Sequence, residues 1–181
     1  MAAMDVFLDR LDPDMCVVTA AAGGKRAGCL VGFSSQCSIR PVRYAVWISD
    51  VNRTFRVARL AEVLAVHLLA RDQWETAELF GGRSGDDVDK FRRVRWREAY
   101  GGAVVLEDAE AWFVGRVVER TPGGDHVGFV LEPVEWGGRG RTAGGRCCGS
   151  PTPAPSGRGI RWTEPRRPVS ARRHPARPAP R

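Results

Sequence analysis

Short apolar segments rich in β-branched residues recur along the first three quarters of this 181-residue chain. Each has the length of a single strand, and turn-forming residues such as glycine, proline and aspartate separate it from the next. The segments cover residues 15–22, 27–33, 43–49, 63–69, 104–106, 109–119 and 127–136. Short strands joined in this way favour a closed barrel over a parallel, doubly wound sheet. The sequence therefore predicts a mainly β fold with short helices.

Four short stretches between these strands have helical spacing or helix-capping signals. Asn52 is a candidate N-cap, and the run from Asp72 to Glu75 resembles a capping box. Gly81 and Gly82 are expected to end the helix that follows that box. The predicted helices cover residues 4–11, 55–60, 74–80 and 87–96.

The net positive charge of the chain comes from its last quarter. The net charge is +7, but residues 1–137 carry 17 Lys and Arg against 20 Asp and Glu, whereas residues 138–181 carry 11 against 1. The two parts therefore have charges of −3 and +10. Residues 137–181 are also rich in Gly, Pro and Arg and have too few aliphatic side chains to offset the entropy of ordering. The sequence predicts a folded domain over residues 1–136 and a disordered tail over 137–181.

The basic tail is open to three interpretations: a tether for nucleic acid or another anionic partner, a proline-rich docking segment, or a dispensable end. It has no repeats and a single aromatic residue, Trp162, which favours the third, although residues 165–168 and 175–178 have PxxP spacing. Nucleic acid is therefore not expected as a partner.

Several classes of protein are disfavoured by what the sequence lacks. The five cysteines have no metal-ligand spacing, so no metal site is expected. No apolar run is long enough to span a membrane, and the N-terminus does not resemble a signal peptide, which predicts a cytoplasmic protein. Only His67 and His126 occur in the predicted domain, and His67 lies in an apolar strand as an expected core residue.

Three polar clusters are candidates for a binding site. The first follows an apolar strand, the second lies at a strand-to-helix junction suited to a phosphate, and the third is a titratable pair in a turn. They consist of Ser34, Ser35, Gln36, Cys37 and Ser38; of Ser49, Asn52, Arg53 and Thr54; and of Asp125 and His126.

The ordered series of these clusters with the apolar motifs around them resembles the flavin-reductase-like family of FMN-binding split barrels. The resemblance covers residues 7–136, nearly all of the predicted domain. It rests on Val17-Val18-Thr19, Gly32-Phe33-Ser34-Ser35, Ser49…Asn52-Arg53-Thr54, Leu79-Phe80-Gly81, Asp89-Lys90-Phe91 and Gly124-Asp125-His126.

This resemblance implies a Greek-key split β-barrel, a homodimer, and reduction of FMN or FAD by NADH or NADPH, with a monooxygenase as a possible recipient of the reduced flavin. Ser34 to Ser38 would line the isoalloxazine and ribityl chain. Ser49, Asn52, Arg53 and Thr54 would hold the phosphate, and Asp125 and His126 would lie near the nicotinamide as the catalytic pair. The chemistry would be hydride transfer from nicotinamide C4 to flavin N5, without a protein nucleophile or a metal.

Two other classes of function stay open on the sequence. A split barrel can hold FMN as a non-catalytic binding module, and the tail can make the chain an interaction protein. NAD(P)H oxidation separates the first of these from a reductase, and deletion of the tail tests the second.

Overall fold

A computed structural model describes residues 2–139 and 141–144 of the chain. Its elements in chain order are α1 (Ala2–Leu8), β1 (Cys16–Ala22), β2 (Lys25–Val31), β3 (Ser34–Ile39), β4 (Val42–Ser49), α2 (Arg53–Ala58), β5 (Val63–Leu68), α3 (Trp74–Gly82), β6 (Trp96–Glu98), β7 (Val104–Leu106), β8 (Ala111–Pro122), β9 (His126–Gly138) and β10 (Arg141–Gly144). Two 3₁₀ turns, Lys90–Arg92 and Tyr100–Gly102, lie among the later elements.

One antiparallel sheet of eight strands forms the barrel, in the order β2-β1-β5-β8-β9-β4-β3, with β10 paired to β9. The strand path begins at β2 and ends at β3, so the barrel is split, as the family resemblance implies, rather than closed. β6 and β7 form a separate two-stranded sheet. The mainly β fold with short helices is therefore confirmed.

The central strands are buried on both faces, which explains their continuous apolar sequences. On β1, Val17 and Val18 point to opposite sides and both are fully buried. Val18 belongs to a cluster that includes Leu64, Phe129 and residues of α2. Val17 belongs to a second cluster formed with α3 and β7. The sheet therefore separates two cores, and helices or the small sheet cover its outer face.

Two fully buried side chains join the outer elements to the barrel through hydrogen bonds. His67 accepts the Leu106 N–H at Nε2 over 3.1 Å, so its proton resides on Nδ1, which donates to the Val17 carbonyl over 3.0 Å. The Thr19 hydroxyl donates to the Val104 carbonyl. His67 is thus a core residue, as the sequence predicts, and burial lowers its pKa to about 4.

The predicted helix over residues 87–96 is wrong. Within this range only Lys90–Arg92 is helical, as a single 3₁₀ turn, and Trp96 already begins β6. Lys90 is 4% exposed and its ammonium donates to the carbonyls of Gly28 and Phe80 over 3.1 and 3.0 Å. These tertiary hydrogen bonds hold the segment across β2 and α3, which outweighs its helical spacing.

The helix that follows Asp72 is capped differently from the prediction. Gln73 occupies the N-cap position of α3, and its side chain accepts the Ala70 N–H and donates to the Asp108 carbonyl instead of capping. Gly81 and Gly82 lie inside α3, which ends at Gly82, so they do not terminate the helix at Phe80 as expected.

The folded part extends beyond the predicted boundary at residue 136. β9 continues to Gly138, and β10 pairs with it through Arg141 and Gly144. Strand structure therefore continues past residue 136 in the described residues, and the boundary between domain and tail stays a prediction. The predicted disorder of residues 145–181 lies outside the described residues.

Candidate functional site

The β8–β9 turn brings the third polar cluster against the second. Gly124 has a φ of +98°, which favours glycine, and the Gly123 N–H closes the turn on the His126 carbonyl over 2.8 Å. His126 opens β9 directly opposite Ser49, the last residue of β4. The Asp50 N–H donates to the Asp125 carbonyl over 3.0 Å and fixes this end of the pairing.

Asp125 and His126 form a hydrogen-bonded pair. His126 Nδ1 lies 2.8 Å from Asp125 Oδ1, and the imidazole packs edge-on against Phe33 with ring centroids 5.2 Å apart. This hydrogen bond is the largest cause that lowers the pKa of Asp125. The carboxylate is ionised and accepts, so His126 Nδ1 donates and Nε2 is the ring nitrogen left for a ligand.

A cleft of about 320 Å³ lies beside this pair. Its apolar and aromatic walls are interrupted by a small number of polar groups, which is typical of a site for a small molecule. The lining residues are Cys29, Leu30, Val31, Gly32, Phe33, Trp47, Ile48, Ser49, Asn52 and His126.

Two glycines fix the position of the aromatic wall. The Trp47 ring lies so close to Gly123 and Gly128 that a Cβ at either residue would be 2.4 or 2.9 Å from its carbon atoms. The two glycines bracket the start of β9, so the indole is held beside His126. The sequence assigns Trp47 and Phe33 to strands and does not identify them as walls of a site. Gly123 and Gly128 are the sequence signal for the backbone that packs closely on the Trp47 ring.

The predicted phosphate cluster is divided by the structure. Ser49 and Asn52 line the cleft with His126. Asn52 caps α2 as predicted, its Oδ1 accepting the Thr54 N–H over 2.9 Å, so its Nδ2 is the group available to a ligand. Thr54 is buried and hydrogen-bonds Cys29. Burial raises the pKa of the Cys29 thiol to about 11, and the hydrogen bond with Thr54 opposes this rise.

Arg53 lines a second cleft, of about 430 Å³. This cleft also contains the basic side chains of Lys25, Arg26 and Lys90. Arg26 stacks on Trp96, with its guanidinium carbon 4.4 Å from the ring centroid. The two clefts are adjacent at the start of α2, because Asn52 lines one and the next residue, Arg53, lines the other.

The first predicted cluster lies on β3, an end strand of the sheet. Ser34 is partly buried, where its hydroxyl lies 3.0 Å from the Tyr44 hydroxyl and 3.5 Å from Cys16 Sγ. Ser35, Gln36 and Cys37 are exposed, and Ser38 is half-buried. The structure does not bring these side chains into the 320 Å³ cleft, which Phe33 reaches instead.

Within the part of the chain that the structure describes, no group of three or more His, Cys, Asp or Glu side chains is arranged to hold a metal. Among residues 2–139 and 141–144, no helix is both long enough and apolar enough to cross a bilayer.

Comparison with known proteins decides the family. The sequence profile described as the flavin reductase like domain matches residues 9–144. This chain belongs to that family. The match contains all three polar clusters and both clefts, and it ends with β10.

Curated relatives and solved structures agree with this assignment. The FMN reductase (NADH) RutF of Variovorax paradoxus is 32% identical over 127 residues, which cover 69% of each chain. The ferric-chelate reductase (NAD(P)H) of Archaeoglobus fulgidus is 26% identical over 66% of this chain and 72% of its own. The chain spans only 22% of a longer Nostoc sp. relative whose name places it among diflavin flavoproteins. The crystal structure of a flavin reductase domain protein from Arthrobacter sp. FB24 has the same fold, with a TM-score of 0.69 and 20% identity over 78% of this chain and 87% of its own.

Proposed function

We propose that this protein reduces FMN or FAD with NADH or NADPH as the electron donor. The observation that carries the proposal is the cleft that Ser49, Asn52 and His126 line between aromatic walls, with Asp125 hydrogen-bonded to His126. Family membership and the names of relatives that reduce FMN with NADH support the same activity.

The donor set of the cleft fits the chemistry of a flavin. Flat apolar walls at Phe33 and Trp47 suit a planar ring, and Ser49, the Asn52 amide and His126 can hydrogen-bond its heteroatoms. At about 320 Å³ the cleft is near the lower end of the volumes of small-molecule sites, about 300–1,000 Å³. It therefore suits a ring system, with the ribityl phosphate directed outside it toward Arg53.

A bound flavin would supply the redox chemistry, accepting hydride from the nicotinamide. The protein would hold the flavin and the dinucleotide in position for this transfer. His126 Nε2 points away from Asp125 and can hydrogen-bond the carboxamide or pyrophosphate of the dinucleotide, while Asp125 holds the ring orientation through Nδ1. The family resemblance implies that Ser34 to Ser38 on β3 contact the flavin. They can do so only if the flavin extends beyond the cleft.

We also propose a homodimer that passes reduced flavin to a monooxygenase. The dimer is supported by exposed apolar side chains of the N-terminal segment and beside the edge strand β3. They are Met4, Val6, Phe7, Leu8, Leu11, Met15, Phe33 and Ile39, each at least 48% exposed. Light scattering of the purified chain tests the dimer, and a monomer at micromolar concentration would contradict it.

The decisive experiment follows NADH and NADPH oxidation by the purified protein, with and without added FMN or FAD. Flavin-dependent oxidation that falls in His126→Ala is expected. Flavin that is bound without any NAD(P)H oxidation would replace the reductase with a non-catalytic binding module.

A further inference from the structure

Asp86 bridges two arginines of α2. Its Oδ1 lies 3.2 Å from Arg53 Nη1, and its two oxygens lie 2.5 and 2.8 Å from Arg56 Nη2. These contacts are the largest cause that lowers the pKa of Asp86, so the carboxylate is ionised. One anion thus serves two guanidinium groups, spaced three residues apart on the same helix.

The loop before Asp86 is shaped to deliver this carboxylate. A Cβ at Gly85 would lie 2.8 Å from Arg53 Cδ and 3.4 Å from its Nε, so the backbone rests directly on the arginine side chain. The Ser84 hydroxyl accepts the Asp86 N–H over 3.1 Å and tightens the turn. The loop therefore packs on Arg53 through its backbone as well as pairing with it through charge.

The three charged groups remain open to solvent at the edge of the 430 Å³ cleft. The side chains of Arg53, Arg56 and Asp86 are 34%, 50% and 50% exposed. Exposed ion pairs are weak, so a stronger anion can displace the carboxylate without unfolding the helix. A phosphate monoester is such an anion, because it carries up to two charges and presents oxygens to a guanidinium as a carboxylate does.

We propose that Asp86 is an internal competitor for the flavin phosphate. It occupies Arg53 and Arg56 when no phosphate is present, and thereby reduces the preference of the protein for phosphorylated flavin over riboflavin. This inference rests on the proposed function, because it takes Arg53 as a phosphate contact. Asp86 is accordingly a specificity-determining residue that keeps FMN exchangeable.

The test compares the dissociation constants of FMN and riboflavin for the full chain and for Asp86→Asn at low ionic strength. Asparagine keeps the shape of the side chain and removes its charge. The dissociation constant of FMN is expected to fall by about three- to tenfold, the effect of freeing two exposed pairs, while that of riboflavin changes by less than about twofold.

Asp87→Asn is the matched control. Asp87 is the next residue of the same loop and carries the same charge, but it has no ion pair among the described residues. It should leave the ratio of the two dissociation constants within about twofold of the wild type. An equal fall in the FMN dissociation constant for both variants would overturn the proposal, because the loss of one negative charge anywhere in the loop would then explain the tighter binding.

A double-mutant cycle adds an independent test. In a chain carrying Arg53→Gln and Arg56→Gln, adding Asp86→Asn should no longer tighten FMN binding, because the groups that it frees are absent. A persistent effect would overturn the proposal. If neither flavin binds to any variant, the proposed function fails as well; if both flavins bind and Asp86→Asn leaves their ratio unchanged, only this inference fails.

Discussion

His126 is the side chain whose two ring nitrogens have separate assignments. Nδ1 is engaged by Asp125 at 2.8 Å, which leaves Nε2 for the dinucleotide. Glutamine places its amide near the position of Nε2, whereas asparagine places its amide near that of Nδ1. We expect His126→Gln to retain much more activity than His126→Asn or His126→Ala, with the losses of about tenfold or more appearing chiefly in kcat/KM for NAD(P)H.

Steady-state kinetics with the dinucleotide as the varied substrate measures these effects. The KM for flavin serves as the internal control, since a folding defect would affect both substrates. Equal losses in all three variants would show that Nε2 makes no hydrogen bond that matters to the dinucleotide.

His67 makes the stability of the barrel depend on pH. Its folded pKa of about 4 is below the usual 6.5, so between these values the unfolded chain binds a proton that the folded chain does not. Its contribution is therefore complete above pH 6.5 and decreases as the pH falls toward 4. Between pH 7.5 and 5.0 this group should cost the wild type about 2 kcal/mol of unfolding free energy.

Urea unfolding of the wild type and His67→Leu at the two pH values tests this prediction. The variant should be less stable at pH 7.5, because the Val17 carbonyl and the Leu106 N–H lose their partner, at a cost of about 1–3 kcal/mol each. The gap between the two proteins should shrink by about 2 kcal/mol at pH 5.0. A constant gap would contradict the assigned titration.

Among individual residues, those with a local signature were predictable. The N-cap role of Asn52 and the burial of His67 follow from the strand and helix patterns around them. The pairing of Arg53 with Asp86 was not, because it joins side chains 33 positions apart through a loop whose path no local pattern specifies.

At the scale of single elements, α3 approaches β2 through one of two adjacent glycines. A Cβ at Gly81 would lie 3.0 Å from Leu30 Cδ2 and 3.4 Å from Leu30 Cβ, whereas a Cβ at Gly82 meets only Glu78 Cγ at 3.8 Å. Gly82→Ala should stabilise the protein by up to about 1 kcal/mol, because alanine loses less backbone entropy in a helix. Gly81→Ala should be less stable than Gly82→Ala by about 1–2 kcal/mol, because Leu30 must shift.

Thermal or urea unfolding of the two single variants measures this difference, and each variant is the control for the other. Equal stabilities would mean that Leu30 yields freely and that helix and strand tolerate a wider spacing.

The elements that the sequence predicts correctly are those buried on both faces, such as β1 and β5, because most of their positions require apolar side chains. β3 was not predicted as a strand. It lies at an end of the strand path and is largely exposed, so its Ser-rich sequence lacks the apolar pattern of a buried strand. The segment over 87–96 was misassigned because buried contacts of Lys90, rather than local spacing, determine its path. Tertiary packing therefore explains both errors.

For the molecule as a whole, strand pairing extends past the predicted domain end at residue 136. Gly137 and Gly138 pair with Trp112 and Ala111 of β8, and a Cβ at Gly137 would be 2.7 Å from the Trp112 ring. A chain that stops at residue 136 loses these pairings and all of β10. It should unfold at a temperature several degrees below that of a chain that stops at Gly144, because backbone pairing and the cover of Trp112 are both lost.

Calorimetry of the two truncated chains, with the full chain as reference, tests this expectation. Equal transitions for both truncations would return the boundary to residue 136. The family profile, which matches through residue 144, supports the longer domain.

β9 also determines how the protein can be attached to a support. His126 begins this strand, and Gly144 of β10 pairs with Trp136 near its other end. About ten residue steps of about 3.3 Å separate His126 from Trp136, so the two lie up to about 33 Å apart. An electrode or bead coupled to a chain ending at Gly144 would therefore be anchored at the opposite end of β9 from His126, and the cleft would stay accessible to a diffusing dinucleotide.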